Sequence, residues 1–460
     1  MEEEEPPPVN TIASSCDVFE QPKVILARPT ASKISMLVRT DHHALVSFQY
    51  GQTMSETEEI TAPEQVLSST TTEVVISGLQ PNTKYYYSML YRYDTSDGQV
   101  CEFESANGDF FHTQAATDQK FKFIITADTH WDDTNFKKDE FISTLEAIKD
   151  ETRNDGNIHF MFEMGDTFMG EKAKRDETNV EVPYKTLFED YYAPYLGGCL
   201  PLYFVIGNHD GENGWSLEGI DSAPVWNCLA RQAFYANPVP DDFYSGNEKV
   251  HFDVLGHQGN YYSFEWGDAL FLVLDPFWYT EIKPQSKDCG WCFTLGFDQM
   301  VWLENTLEAS DTKFKFIFIH NLLGGIFGDE TVTDRPYTGA GDARFTQYFE
   351  WGGNDEDGSY AYDQFRDNGW PSPVHTLLTK VKENGGVPIV FRGHDHLYHR
   401  GARDGVVYQT VPRPDKAGST GAQTAGITLK GYDPMQVPVG GGGGFLKITV
   451  DPDSGCVTVA

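Results

Sequence analysis

The chain is poor in positive charge: 34 lysines and arginines stand against 69 aspartates and glutamates, a formal charge of −35 over 460 residues. Affinity for nucleic acid comes largely from Lys and Arg displacing counterions, so a nucleic-acid polymer is not an expected partner, nor is an anionic membrane surface. A small phosphate ester is not excluded, because a local cluster of metal ions overrides the global field. No apolar run reaches the length that a membrane-spanning helix requires. Cysteine is sparse as well. The seven, Cys16 to Cys456, are too scattered for a small disulfide-stapled fold. The one close pair, Cys289-Gly-Trp-Cys292, lacks the second pair that a four-thiolate zinc site needs, and reads as a local disulfide or two free thiols. No signal peptide is visible: Met1 is followed by four glutamates and three prolines, not by a basic segment and an apolar core. No internal repeat is found.

What is present is the composition of a folded protein, 40% hydrophobic and 14% aromatic. Residues 1–20 read as a flexible acidic, Pro-rich tail. From about 21 to 115 the pattern is all-β. Runs such as Lys33–Thr40, Ala44–Tyr50, Glu73–Ser77 and Lys84–Tyr93 are rich in β-branched and aromatic residues and are separated by turn signals, as in a sandwich. After Ala115–Lys120 the pattern becomes α/β, and this second domain is taken to run over 120–460 with strands at its C-terminal end. Phe121–Ala127, Ile158–Met164, Pro201–Ile206, Ala269–Leu274, Phe314–Ile319 and Val387–Phe391 are continuous apolar runs, expected of strands covered on both faces. Helices are predicted near Asp298–Leu307 and Pro373–Lys382. Gly440–Gly444 precedes a last strand-like run, Phe445–Val450.

The residues that follow those strands carry the chemistry. The first run ends in Asp128-Thr-His130, the second in Gly165-Asp166, the third in Gly207-Asn208-His209-Asp210. Phe314–Ile319 ends in His320, and the last run leads into Gly393-His394-Asp395-His396. Ligands of open α/β sheets bind at the carboxyl ends of strands. Any one of these groups alone is more simply a turn or a helix cap; five at five strand ends point to a metal site. Imidazole, carboxylate and amide donors without thiolate suit Zn, Mn, Fe or Co. A carboxylate can bridge two such ions about 3.5–4 Å apart, the arrangement that generates hydroxide near neutral pH and clamps an in-line displacement.

The order Asp-x-His, Gly-Asp, Gly-Asn-His-Asp, His, Gly-His-x-His resembles the calcineurin-like metallophosphoesterases, and a fibronectin type III-like module in front is similar to the layout of purple acid phosphatases. The resemblance covers about 21–412. It implies a two-sheet α/β sandwich flanked by helices, with two transition-metal ions, divalent or mixed-valence, at the strand ends. Carried over by motif, Asp128, His130 and His396 hold one ion, Asn208, His320 and His394 the other, and Asp166 bridges them. His209 faces the substrate, donating to a phosphoryl oxygen or protonating the leaving group.

Two positions depart from the pattern. Purple acid phosphatases carry a metal-binding Tyr three residues after the bridging Asp, where this chain has Met169; they lack the histidine that His130 supplies. The ligand set is then that of the protein phosphatases, with no iron–tyrosinate colour expected. Protein phosphatases place an Asp at the Met169 position to orient the catalytic His, which leaves Asp210 as the candidate partner of His209. Two long segments, Gly211–Asn260 and Asn321–Trp370, are candidates for the pocket walls, and Arg344 for a second phosphate or a sugar-linked group. His375, in the first turn of a helix, reads as structural.

The function expected is hydrolysis of small phosphate esters by metal-bound hydroxide, monoesters before diesters by analogy of layout. A binding or adhesion protein with an inert phosphoesterase-like domain is the competing class, disfavoured because all seven ligand positions are filled. A structural zinc protein is disfavoured because the set contains no cysteine. The fibronectin-like module and the likeness to exported phosphatases imply an extracytoplasmic location, secreted or periplasmic.

Overall fold

The computed structural model describes residues 20–460 except 56–58, 96–99, 107, 171–178, 197, 285–286, 323–342, 344–345, 356 and 416–442, and only the backbone of 287–289. Arg335, Arg344, the Cys289 side chain, the tail before Glu20 and Gly440–Gly442 therefore lie outside the described residues.

The N-terminal strands are β1 (Lys23–Ala27), β2 (Lys33–Arg39), β3 (Ala44–Gly51), β4 (Glu59–Ile60), β5 (Glu64–Val66), β6 (Thr72–Ser77), β7 (Lys84–Tyr93), β8 (Glu104–Ala106) and β9 (Phe110–His112). They form two antiparallel sheets, β1-β2-β6 and β4-β3-β7-β8, with β5 on β3 and β9 on β7. Alternation decides what packs between them: Tyr85, Tyr87, Met89, Tyr91 and Tyr93 of β7 point inward onto Ile34, Met36 and Val38 of β2. This all-β region fits a fibronectin-like layout.

The remaining strands are β10 (Phe121–Thr126), β11 (Ile158–Glu163), β12 (Leu202–Phe204), β13 (Ser245–Gly246), β14 (Tyr262–Trp266), β15 (Ala269–Val273), β16 (Phe314–Phe318), β17 (Val387–Arg392), β18 (His399–Arg403), β19 (Val406–Thr410), β20 (Leu446–Asp451) and β21 (Cys456–Val459). They make a five-stranded sheet, β12-β11-β10-β20-β21, and a seven-stranded one, β13-β14-β15-β16-β17-β19-β18. The predicted apolar runs pair in parallel, β10 with β11 and β11 with β12, and β15 with β16 and β16 with β17.

Period-two alternation sorts these strands into layers. Phe121, Phe123, Phe160 and Phe162 face the other sheet and meet Phe271, Phe316, Phe318 and Phe391, with Phe162 and Phe318 stacked at 3.9 Å. Their neighbours Ile124 and Met161 face outward, under the helix Lys138–Asp155 and the π-helical segment Leu187–Leu196. On the far side, Leu270, Leu272, Ile317 and Val390 lie beneath the helices Phe297–Ala309 and Val374–Glu383. The result is helix, sheet, sheet, helix. With both faces of the central strands covered, it is chiefly their ends that reach solvent.

The first sandwich is docked on the second through built contacts. Arg39 is buried, with Nε 2.9 Å from Glu189 Oε1 and the guanidinium 4.4 Å from the centre of the Phe234 ring. Tyr87 donates to the Gly198 carbonyl at 2.7 Å, and Tyr244 donates back to the Pro29 carbonyl at 2.6 Å. No helix among the described residues is long and apolar enough to cross a membrane.

Candidate metal centre

All five strand-end motifs come together at the carboxyl edge of the two sheets. β10, β11 and β12 supply Asp128 and His130, Asp166, and Asn208 with His209; β16 and β17 supply His320, and His394 with His396. The turns that aim these side chains are conformationally costly. Ten non-glycine residues among those described have a positive φ, and five of them are Asp128, His130, Asp166, His394 and His396, with φ from 43° to 68°. Each such residue costs on the order of 1–3 kcal/mol and persists only where its surroundings over-determine it.

The surroundings are identifiable. The loops after β10 and β11 run side by side, with Asp128 N, His130 N and Trp131 N donating to the carbonyls of Gly165, Asp166 and Thr167 at 3.0, 3.0 and 3.1 Å. Gly165 and Gly207 pass backbone against backbone, and a Cβ on either would collide with the other's loop. That contact explains the glycine before both Asp166 and Asn208.

Asp210 is tied into this frame. Its carboxylate accepts from Gly207 N at 2.7 Å, Asp166 N and Thr167 N at 3.0 Å each, and the Thr167 hydroxyl at 2.9 Å. Backbone donors thus converge on both oxygens of the residue that the sequence left as candidate partner of His209, and it staples the two loops. Burial and the neighbouring Asp166 push its carboxyl up to about 7.

Two groups of ligand atoms form, Asp128 with His130 and His396, and Asp166 with His320 and His394, each lying within 4.8 Å of one another. His130 Nε2 is 3.1 Å from His396 Nε2, 3.9 Å from Asp128 Oδ1 and 3.7 Å from Asp166 Oδ2. His320 Nε2 is 3.1 Å from the same Asp166 oxygen, which therefore faces both groups. Asn208 Oδ1 lies 2.8 Å from His394 Nδ1. His209 stands at the rim, its side chain 16% exposed and its Nε2 4.0 Å from Asp166 Oδ2.

The donor set fits a pair of cations. Asp128 Oδ2 is buried without a hydrogen-bond partner among the described residues, and the Nε2 atoms of His130 and His396 approach within 3.1 Å of each other. The protonation pattern shows the same demand for positive charge. Burial opposes ionisation of Asp166, yet His320 and His209 hold its carboxyl well below the ordinary range. Burial likewise opposes a charge on His320, but Asp166 and then Asp128 raise it to about 10. Burial takes His130 the other way, down to about 3, so that ring is neutral and able to ligate.

Four neighbours were not singled out from sequence. Glu163 is buried beneath the site and accepts from the hydroxyls of Thr126 and Thr129. Arg413 reaches the Thr129 carbonyl at 3.4 Å and is clamped by Asp415 at 2.8 and 2.9 Å. Asp132 accepts from Met169 N at 2.7 Å. Only Glu163 left a signal, a lone carboxylate at the end of a largely apolar strand. His375 bridges the Tyr408 hydroxyl at 2.7 Å and Asp404 at 3.0 Å within the helix–sheet layer.

The profile of the calcineurin-like phosphoesterase family matches residues 121–398, and the chain belongs to that family of metal-dependent phosphoesterases. Among solved structures it is similar to PhoD, at a TM-score of 0.62 and 14% identity over 95% of this chain and 86% of that one. It is also similar to the purple acid phosphatase PPD1 from seeds of yellow lupin (Lupinus luteus), at a TM-score of 0.53 and 14% identity over 98% of this chain and 74% of that one. At these identities the likeness is one of fold. No individually curated protein sequence gives a significant match.

Proposed function

We propose that the chain hydrolyses small phosphate esters, monoesters in preference to diesters, at a pair of Zn, Mn, Fe or Co ions. In this reading Asp128, His130 and His396 hold one ion, Asn208, His320 and His394 the other, and Asp166 is shared. The observation that carries it is the single Asp166 oxygen facing both groups of ligand atoms, 3.7 Å from His130 Nε2 and 3.1 Å from His320 Nε2. Bound there, the ions supply Lewis acidity and lower the pKa of water.

The protein's own groups do the rest. Asn208 ligates without adding negative charge, so less of the cations' field is cancelled before the ester arrives. His209, at the rim, donates to a phosphoryl oxygen and delivers a proton to the departing alkoxide. Asp210 acts through backbone geometry, as a positioning residue. The monoester preference rests on the layout shared with a purple acid phosphatase.

Elemental analysis of the purified protein, with hydrolysis of paired aryl phosphate monoester and diester substrates, tests this reading. Two ions per chain with metal-dependent turnover, faster on the monoester, is the expected result. Faster diester turnover would overturn the substrate class, and no metal after reconstitution would overturn the centre itself. An extracytoplasmic location belongs to the same proposal. Cys101 and Cys292 are each disulfide-bonded, a state that oxidising compartments maintain. Free-thiol labelling of the native protein that modified either residue would contradict it.

A further inference from the structure

The sulfur of Met169 lies 3.0 Å from Nδ1 of His130. A thioether has lone pairs and no proton, so it can only accept. A ring nitrogen that faces it at this distance must carry the hydrogen. We propose that Met169 is a positioning residue of the metal centre: its sulfur accepts from His130 Nδ1–H, fixing the tautomer that turns the Nε2 lone pair towards Asp128, Asp166 and His396. The inference rests on the metal-centre reading above.

Three further observations support it. Met169 is itself held in place, its backbone N–H donating to Asp132 Oδ1 at 2.7 Å. Nε2 of the same ring points where the proposal needs it, 3.1 Å from His396 Nε2. The second group of ligands contains the same device with a different acceptor: His320 Nδ1 is 2.8 Å from the Met164 carbonyl, with Nε2 turned to Asp166. Ligating histidines generally hand their outer N–H to an oxygen, which raises the basicity of the inner nitrogen. Sulfur is the weaker acceptor. Of the two ions, the one held by Asp128, His130 and His396 is then the more easily lost.

Met169→Leu keeps the volume and removes the acceptor, whereas Met169→Gln restores one. Metal affinities of the full chain are measured by competition with a chromophoric chelator, using Zn2+ and Mn2+ as probes. Met169→Leu is expected to weaken one site by roughly 10- to 100-fold and leave the other unchanged, with Met169→Gln recovering most of the loss. Unchanged affinity at both sites in a Met169→Leu protein that melts like wild type would overturn the proposal. Should that variant fold poorly, 15N-resolved histidine NMR on metal-free wild-type protein decides. A protonated Nδ1 and bare Nε2 at His130 supports the assignment, and the opposite tautomer overturns it. Wild-type protein that takes up no ions would instead defeat the metal-centre reading, and the NMR tautomer would still report on Met169.

Discussion

The two sandwiches of this chain obey opposite rules. In the first, β7 buries every second residue, and the non-glycine residues of positive φ, Arg28, Ser69 and Asn82, lie in the connections between strands. In the second, β11, β15 and β16 are buried along their whole length, and five of the seven such residues among those described follow the strand ends with polar side chains turned inward. A sheet covered on both faces presents nothing but its ends, so its chemistry collects there. Among its described residues the N-terminal sandwich keeps no comparable convergence of metal-ligating side chains. Its most deeply placed cation, Arg39, is spent on the joint with Glu189. One region is thus assigned chemistry and the other support.

The largest expected effect is at the shared carboxylate. Asp166→Asn should lower turnover by on the order of 10³-fold and reduce bound metal, because one oxygen serves both groups of ligands. Full activity with two ions retained would overturn the sharing. His209→Ala should cost roughly 10²–10⁴ in kcat while both ions stay, since the ring sits at the rim and donates protons without ligating. Loss of metal in that variant would make His209 a ligand instead.

Arg39→Ala tests the other side of the comparison. It leaves Glu189 part-buried without its partner and removes the cation from the Phe234 ring. A loss of about 3–5 kcal/mol is expected in denaturant titrations, with kcat per folded molecule unchanged. A fall in kcat without a fall in stability would give the sandwich a part in catalysis. It would also end the division of labour drawn above.

How much of this was legible in the sequence depends on whether the interaction was local. The apolar runs marked the strands because period and composition are local properties, and the strand-end motifs marked the ligands for the same reason. Sheet order was not local. Nothing in Leu446–Asp451 says that it inserts beside β10, yet all of Phe121–Ile125 pairs with it. The stapling contacts of Asp210 were not legible because most of its partners are backbone N–H groups, which no sequence pattern distinguishes. Met169 looked like a missing ligand or a missing carboxylate until its sulfur was found against His130.

Glu163 offers the smallest effect and the sharpest sign. Burial, opposed by the donated Thr126 hydroxyl and aided by Asp128 and Asp210, raises its carboxyl from 4.5 to about 8. Between those values the folded, metal-free protein holds a proton that the unfolded chain releases. Stability from this group is therefore complete below pH 4.5 and is lost as pH rises through about 8. Glu163→Gln keeps the shape and cannot ionise. Its stability relative to wild type should climb across that window, by on the order of a few kcal/mol at most, and overtake wild type near the upper end. Denaturation midpoints of metal-free protein from pH 5 to about 8.5 measure this. A parallel pair of curves would mean that Glu163 is already ionised beneath Thr129. The floor of the centre would then carry a buried negative charge, adding to the attraction for the cations above it.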